Sequence, residues 1–317
     1  MNRFLERACP MCGGGAALGE VWAPRRAERL TPEALRSFWS GLFNEKSFFS
    51  YHRCLDCGLL YCPTFFDGRQ LADLYSSMAP NMDLVARDAI AATQRGYFAR
   101  AAAYGPLEGG YLEIGPDVGH VVAEAVRAGA FEHFWLFEPN RSVHDALRAA
   151  AGGRPATLRA DMGDLSAVPD GSIGLAVMIH VLDHLLDPLA MLGQIRAKLR
   201  PGGTLMIVTH NERSLLRHAM GVRWPPFCLQ HPLLFNPRTI AAMLDRAGYA
   251  GVAVERSRNH FPLDFLARQA AWAMGLKVAR VPLPRFSIGL RLGNMLTLAT
   301  APAQAAARLP GRLEAAE

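Results

Sequence analysis

Cys9 and Cys12 stand in the string C-P-M-C-G, and Cys54 and Cys57 stand in C-L-D-C-G. Four thiolates at this doubled spacing are the ligand set of a structural zinc ribbon. An ion enclosed by four sulfurs keeps no open coordination position, so the expected Zn2+ holds structure and does no chemistry. Gly13 and Gly58 follow each second cysteine, where a glycine lets the backbone turn and its amides face the sulfurs. Cys62 and Cys228 fall outside the pattern and read as packing residues. The forty-one residues between Cys12 and Cys54 exceed what a ribbon needs. Part of that gap reads as a helix, with Thr31 as N-cap, Pro32 in the first turn, and Leu35, Phe38, Trp39 and Leu42 on one face.

A second constellation lies in Y-L-E-I-G-P-D-V-G-H, from Tyr111 to His120. An apolar strand runs into a glycine-spaced turn, as in a nucleotide-binding site. A dinucleotide turn, however, needs G-x-G-x-x-G so that the backbone can approach a pyrophosphate. Here Asp117 replaces the glycine that would touch phosphate, between Gly115 and Gly119. A carboxylate there repels a pyrophosphate. It does not repel S-adenosylmethionine, which has no phosphate and carries a cationic sulfonium and amine. Further along, His180, His184 and His231 offer imidazoles that can work as acids or bases near neutral pH.

The elements that must position these residues alternate. Tyr111–Ile114, Phe134–Phe137, Ala156–Arg159, Ile173–Ile179 and Thr204–Val208 read as strands, the fourth apolar throughout, as in a strand buried on both faces. Helices are expected over Val118–Ala128, Val143–Ala150 and the stretch capped by Asp187 and Pro188 and stopped at Arg200-Pro201. Such a text describes an α/β chain with a doubly wound parallel sheet, whose ligand lies at the carboxyl ends of the strands. Helix Pro237–Ala247, capped by Asn236, leads to a strand at Val252–Glu255. Met295–Ala299 reads as a last, antiparallel strand, which makes Phe261–Gly293 an insertion in the final hairpin.

Composition restricts the partners. Half of the residues are hydrophobic and a fifth charged, as in an ordinary globular protein. The net charge of +6 is carried mostly by arginines dispersed among alanines, with no basic run, which speaks against nucleic acid as partner. The longest uncharged stretch, Leu292–Ala307, is too short and too interrupted for a transmembrane segment. Arg3, Glu6 and Arg7 leave no apolar segment for a signal peptide, so a cytoplasmic protein is expected. Paired cysteines there point to a metal before disulfides.

Together these strings resemble the class I S-adenosylmethionine-dependent methyltransferases, in particular the methyltransferase-23-like branch. Glu113-x-Gly115-x-x-x-Gly119 is similar to their first motif. Glu138, ending the second strand, resembles their ribose-binding acid, and Asp161 with Met162 resembles their adenine-site pair. I-H-V-L-D-H-L-L-D-P (Ile179–Pro188) and L-R-P-G-G-T-L-M-I-V-T-H-N (Leu199–Asn211) resemble their fourth and fifth strand regions. The likeness runs from about Gly110 to Gly251 in the family's order. It also reaches C-L-D-C-G-L-L-Y-C-P with L-A-D-L-Y ending at Tyr75, and the segment Arg223–Tyr249, which roofs the substrate site in this branch. Ser172-Ile173-Gly174 departs from the usual S-F-D before the fourth strand and loses an acid.

The resemblance implies a seven-stranded Rossmann-like sheet preceded by a small zinc ribbon, divided as 1–65 ribbon, 66–104 helical linker and 105–317 cofactor domain. It implies S-adenosylmethionine as cofactor, held by Glu113, Gly115, Asp117, Gly119, Glu138, Asp161 and Met162, with Tyr75 covering it. The sulfonium methyl is already a good electrophile, so the protein mainly aligns it with a nucleophile and excludes water. A hydroxyl or carbon-acid acceptor needs a general base as well. His180, on the end of the fourth strand, and His231, on the roofing segment, are the catalytic candidates, facing the methyl from opposite sides. His184 reads as a histidine satisfied by its neighbours. Trp224 and Phe227 either wall the pocket or serve packing. A small-molecule acceptor (a sugar, a lipid-linked molecule or a natural product) is the leading expectation. An RNA methyltransferase gripping RNA with its ribbon, or a cofactor-binding scaffold without catalysis, are the alternatives.

Overall fold

Ile173–Ile179 is apolar throughout because it lies inside a sheet covered on both faces. In the computed structural model, which describes residues 4–39, 46–76, 86–273 and 286–302, Leu175 and Val177 join one apolar core and Ala176 and Met178 the other. The sheet has seven strands, numbered here within it: β1 Gly110–Ile114, β2 Phe134–Phe137, β3 Ala156–Arg159, β4 Ile173–Ile179, β5 Leu199–His210, β6 Ala250–Arg256 and β7 Asn294–Thr300. Their spatial order is β3-β2-β1-β4-β5-β7-β6. β1 to β5 run parallel, and β7 is antiparallel to both β5 and β6. The order reverses between β1 and β4, and a crevice at that switch point, beyond the carboxyl ends, is where such sheets hold ligands.

β5 is longer than the apolar run Thr204–Val208 predicts. Leu199 already pairs with Ile173, and at the other end His210 pairs with Asn294 of β7. Caps set the helices. Asp187 accepts from the Ala190 amide ahead of Pro188–Lys198, and Asn236 forms a capping box with Thr239 ahead of Pro237–Arg246. The excursion between β6 and β7 holds a two-stranded pair, Asn259–Pro262 with Ser287–Leu290, and a helix, Leu263–Ala273. No helix among the described residues is long and apolar enough to cross a membrane.

The cysteine-bearing segment does not stand apart from this sheet. Ala17–Val21, Tyr51–Cys54 and Leu60–Tyr61 form antiparallel strands, and the fourth strand beside them is Leu233–Leu234, supplied by the roofing segment. Trp224, Phe227 and Leu229 share a buried cluster with Phe48, Phe49, Tyr51 and Phe65. Trp224 and Phe227 therefore serve packing. Polar contacts fasten the same seam: the Arg53 guanidinium reaches Glu20 and the buried Glu212, and Arg7 donates to the carbonyls of Leu186 and Pro232. Thr31 caps its helix by accepting from the Ala34 amide at 3.1 Å. That helix tightens to a 3-10 turn after Leu35, and Leu42 lies outside the described residues.

Candidate active site

The turn after β1 has the backbone that a closely approached ligand requires. Gly115 has φ 69°, and a Cβ there would come within 2.6 Å of Val181. Gly119 has φ 81°, and a Cβ there would meet Ala150 at 2.8 Å, so the helix His120–Ala128 can start only on a glycine. Between them Asp117 takes the left-handed conformation, φ 50°, without being glycine. Its amide donates to Glu138 Oε2 at 2.9 Å, and the Asn140 amide donates to Glu138 Oε1 at 2.8 Å. Burial pushes the Glu138 carboxyl up, while these two donors pull it back. Each oxygen, holding one backbone donor, keeps lone-pair capacity for a ligand hydroxyl. With Asp117 and Glu138 both at the turn, the place is acidic and suits a cationic ligand without phosphate.

Asp161 lies beyond the end of β3, where its Oδ1 accepts from the Gly163 amide, and Met162 packs beside the core. Glu113 is placed differently. It is buried, and the Tyr111 hydroxyl donates to its Oε2 at 2.6 Å. Burial pushes its carboxyl up to about 8. Glu113 is then protonated in the fold but ionised in the unfolded chain between its ordinary value and about 8. Its burial therefore costs stability progressively as pH rises through that window. Glu113→Gln stays neutral at every pH. Its stability relative to the parent should rise by an amount on the order of 1 kcal/mol or more between about pH 5 and about pH 8. Urea unfolding at stepped pH measures this, and parallel curves for the two proteins would count against it.

Beyond β4 and β5 the structure gathers histidines. His180 ends β4's run with φ 52°, and its ring stacks on His210, the last residue of β5, at 4.4 Å between centroids. His210 in turn lies 5.0 Å from His231, and His231 lies 4.6 Å from His184. His180 and His231 thus belong to one cluster bridged by His210, rather than to two walls of a pocket. Asp183, fully buried, lies among them in the 3-10 turn Leu182–His184. Burial holds His180 and His210 below the ordinary imidazole range and His184 down at about 3, so these rings are neutral. Asn294 of β7 stands 3.3 Å from His180 Nε2 and 3.0 Å from His210 Nδ1. An amide has one donor end and one acceptor end, so it holds the two imidazoles in complementary tautomers. Asn294 Nδ2 donates to His180 Nε2 and its Oδ1 accepts from His210 Nδ1, so Nε2 is the basic nitrogen of His180 and the proton sits on Nδ1, a buried atom with no hydrogen-bond partner. His180 also lines a cavity of about 70 Å3 with Thr93, Tyr97, Asn259 and His260.

His184 is satisfied as expected, with the Tyr75 hydroxyl 2.8 Å from its Nδ1. Sequence reasoning missed Asp183, His210 and Asn294. His210 carries the signal that singled out His180, a polar residue closing a parallel strand, whereas Asn294 reaches the site through the antiparallel pairing of β7 with β5. The four cysteines come together as predicted. Cys9 and Cys57, and Cys12 and Cys54, stand 3.5 Å apart between sulfurs, and all four lie within 4.8 Å of one another. Tetrahedral zinc with bonds of about 2.3 Å sets its sulfurs about 3.8 Å apart, so the donor set fits that ion. Gly13 and Gly58 adopt the left-handed turn, and the Gly14 amide donates to Cys12 Sγ at 3.4 Å.

A parallel sheet with an antiparallel seventh strand, and an acidic glycine turn at its switch point, define a class I S-adenosylmethionine-dependent methyltransferase. The chain belongs to the family described as "Methyltransferase domain" (Methyltransf_23), which it matches over residues 86–254. Its cofactor is S-adenosylmethionine. Among solved structures it is similar to a Haloferax volcanii complex between the Trm112 methyltransferase activator and a methyltransferase, with 19% identity over 68% of this chain and 97% of that one, TM-score 0.48. It is also similar to a SAM-dependent methyltransferase of Thermotoga maritima, 15% identical over 67% and 91% of the two chains, TM-score 0.44. A third is an S-adenosylmethionine-dependent methyltransferase of Mesorhizobium loti, 18% identical over 64% and 96%, TM-score 0.44. No curated protein matches the sequence closely.

Proposed function

We propose that the chain transfers a methyl group to a small-molecule acceptor, with His180 as the general base. The observation that carries this reading is the cavity of about 70 Å3 at the carboxyl end of β4, which His180 lines. S-adenosylmethionine, when bound, supplies the electrophilic methyl. Glu138 is placed to accept from its ribose hydroxyls, Gly115 and Gly119 give it room, and Asp117 makes the turn unfavourable for a pyrophosphate. His180 takes the proton from an acceptor hydroxyl or carbon acid, which is not anionic near neutral pH. His231 acts as a positioning residue: its Nδ1 is engaged by the Pro226 carbonyl at 2.6 Å, and it packs beside His210 and His184.

A second cavity, of about 420 Å3, shares Tyr97 and His260 with the first and is lined by Arg256, Arg258 and Arg291, and by Arg100 paired with Glu255. It favours an acceptor bearing an anionic group, as a sugar phosphate or lipid-linked sugar does. The four-cysteine cluster is proposed to hold one structural Zn2+, and the reduced thiolates it requires support a cytoplasmic location. The segments 1–65, 66–104 and 105–317 are proposed as ribbon, linker and cofactor domain, joined by the sheet that Leu233–Leu234 completes.

Two measurements test this. Incubation with methyl-labelled S-adenosylmethionine and an extract of the source organism should label the low-molecular-mass fraction. Label in RNA alone would overturn the acceptor class. Calorimetry with S-adenosylhomocysteine should show binding in the micromolar range, on the order of 7 to 9 kcal/mol. Glu138→Ala should weaken it about tenfold or more, since two ribose hydroxyls lose their acceptor and the Asp117 amide loses its partner. Unchanged affinity in that variant would remove Glu138 from the cofactor site.

A further inference from the structure

We infer that Asp183, His184 and His231 form a second metal site, for a divalent transition-metal ion, distinct from the four-cysteine cluster. Asp183 is 0% exposed, and neither of its carboxylate oxygens has a hydrogen-bond partner. A buried carboxylate left without partners is strongly unfavourable, and buried charges in proteins are paired or coordinate metals. The groups around Asp183 are donors of the second kind. One ligand atom each from Asp183, His184 and His231 lies within 4.8 Å of the others, and the same holds for Asp183 with His180 and His210. Imidazole and carboxylate donors bound at about 2.0–2.2 Å lie roughly 3 to 4 Å apart, so only a slight closure separates this arrangement from a coordinated one.

The outer contacts favour the first set. His231 Nδ1 lies 2.6 Å from the Pro226 carbonyl, which can only accept, so this nitrogen keeps its proton and Nε2 is the donor atom left for an ion, which would displace the proton that Cys228 and Asp183 favour on the ring. His184 Nδ1 faces the Tyr75 hydroxyl at 2.8 Å, which can accept from it and leave Nε2 likewise basic. Carbonyl and hydroxyl partners of this kind orient metal-binding imidazoles. His180 and His210, by contrast, share Asn294 and cannot both present lone pairs toward Asp183. Both elements are held firmly: the turn Leu182–His184 follows a central strand, and the roofing segment is a strand of the cysteine-bearing sheet. Two imidazoles and one carboxylate suit zinc, iron(II) or another borderline ion and leave coordination positions open. An ion there would bind an acceptor oxygen and lower its pKa. That role rests on the methyl-transfer reading, whereas the binding itself does not.

Cobalt titration of the metal-stripped full chain tests the site without any need for activity. Two equivalents should bind, one with the thiolate-to-cobalt charge-transfer absorption of a sulfur site and one with only the weak visible bands of a nitrogen and oxygen site. Asp183→Asn and His184→Gln should each abolish the second equivalent and keep the first. Circular dichroism checks that the variants are folded. A wild-type chain that saturates at one equivalent with the sulfur spectrum overturns the inference, whatever the variants do. So does a second equivalent that survives both substitutions.

Discussion

Cys54→Ser is expected to release the metal proposed for the four-cysteine cluster and loosen the cysteine-bearing segment before about Phe65. Apparent binding of structural zinc is worth about 10–16 kcal/mol in small domains, and most of that is folding energy. One serine in place of a buried thiolate leaves three ligands and a donor that binds zinc poorly. The loosening should not stop at the cysteine-bearing segment. Leu60–Tyr61 pairs with Leu233–Leu234, and Trp224 and Phe227 lie in the same cluster as Phe48 and Tyr51, so the roof over the histidines loses its support. The glycine turn proposed for the cofactor packs, at Gly119, against helix residues Leu147 and Ala150 instead. The sulfur-bound zinc should therefore fall from one per chain toward zero, and amide exchange should rise at Leu233 and Leu234. S-adenosylhomocysteine binding should persist. Full zinc retention in the variant, or no zinc in carefully purified parent protein, would defeat the expectation.

His180→Ala should lower turnover about a hundredfold or more, the usual worth of a general base. Cofactor affinity should hardly change, because the ring lies beyond β4, while the groups proposed to hold the cofactor lie at the ends of β1 and β2. The same split is expected in kinetics: kcat falls and the KM for S-adenosylmethionine stays near the parent value. His180→Gln, which keeps a polar side chain of similar reach but cannot take the proton, should be equally slow. Near-normal turnover in both variants with the labelled acceptor would show that alignment alone accounts for the rate.

The strands were legible where one rule governed them. β2 and β4 begin and end where their apolar runs do, and β3 keeps its expected bounds although only Ala156 and Leu158 in it are apolar, because turn residues bound all three. β5 extends beyond its apolar core since Leu199 and His210 are recruited by neighbours, Ile173 and Asn294, that no local pattern reveals. The glycine turn and the cysteine pairs were readable for a related reason: spacing within a few residues dictates their geometry. The histidine cluster was only half readable. His180 and His231 stood out as polar residues at mouth positions, but Asp183 reads locally as one more helix-turn acid. Its burial comes from the packing of the roof segment, 40 to 50 residues downstream, onto a sheet that begins near the N-terminus. No periodicity encodes such an encounter.

The pairing of Leu60–Tyr61 with Leu233–Leu234 also sets an order of events during synthesis. The edge of the cysteine-bearing sheet leaves the ribosome about 170 residues before its partner strand. At roughly 5–20 residues per second, that edge waits some ten to thirty seconds with its backbone groups unpaired. An unpaired edge flanked by Leu59, Leu60 and Phe65 is a surface on which nascent chains associate wrongly. The cysteines, by contrast, are all available once Cys57 has emerged, so a metal ion captured early would hold the hairpin in register until its missing strand arrives.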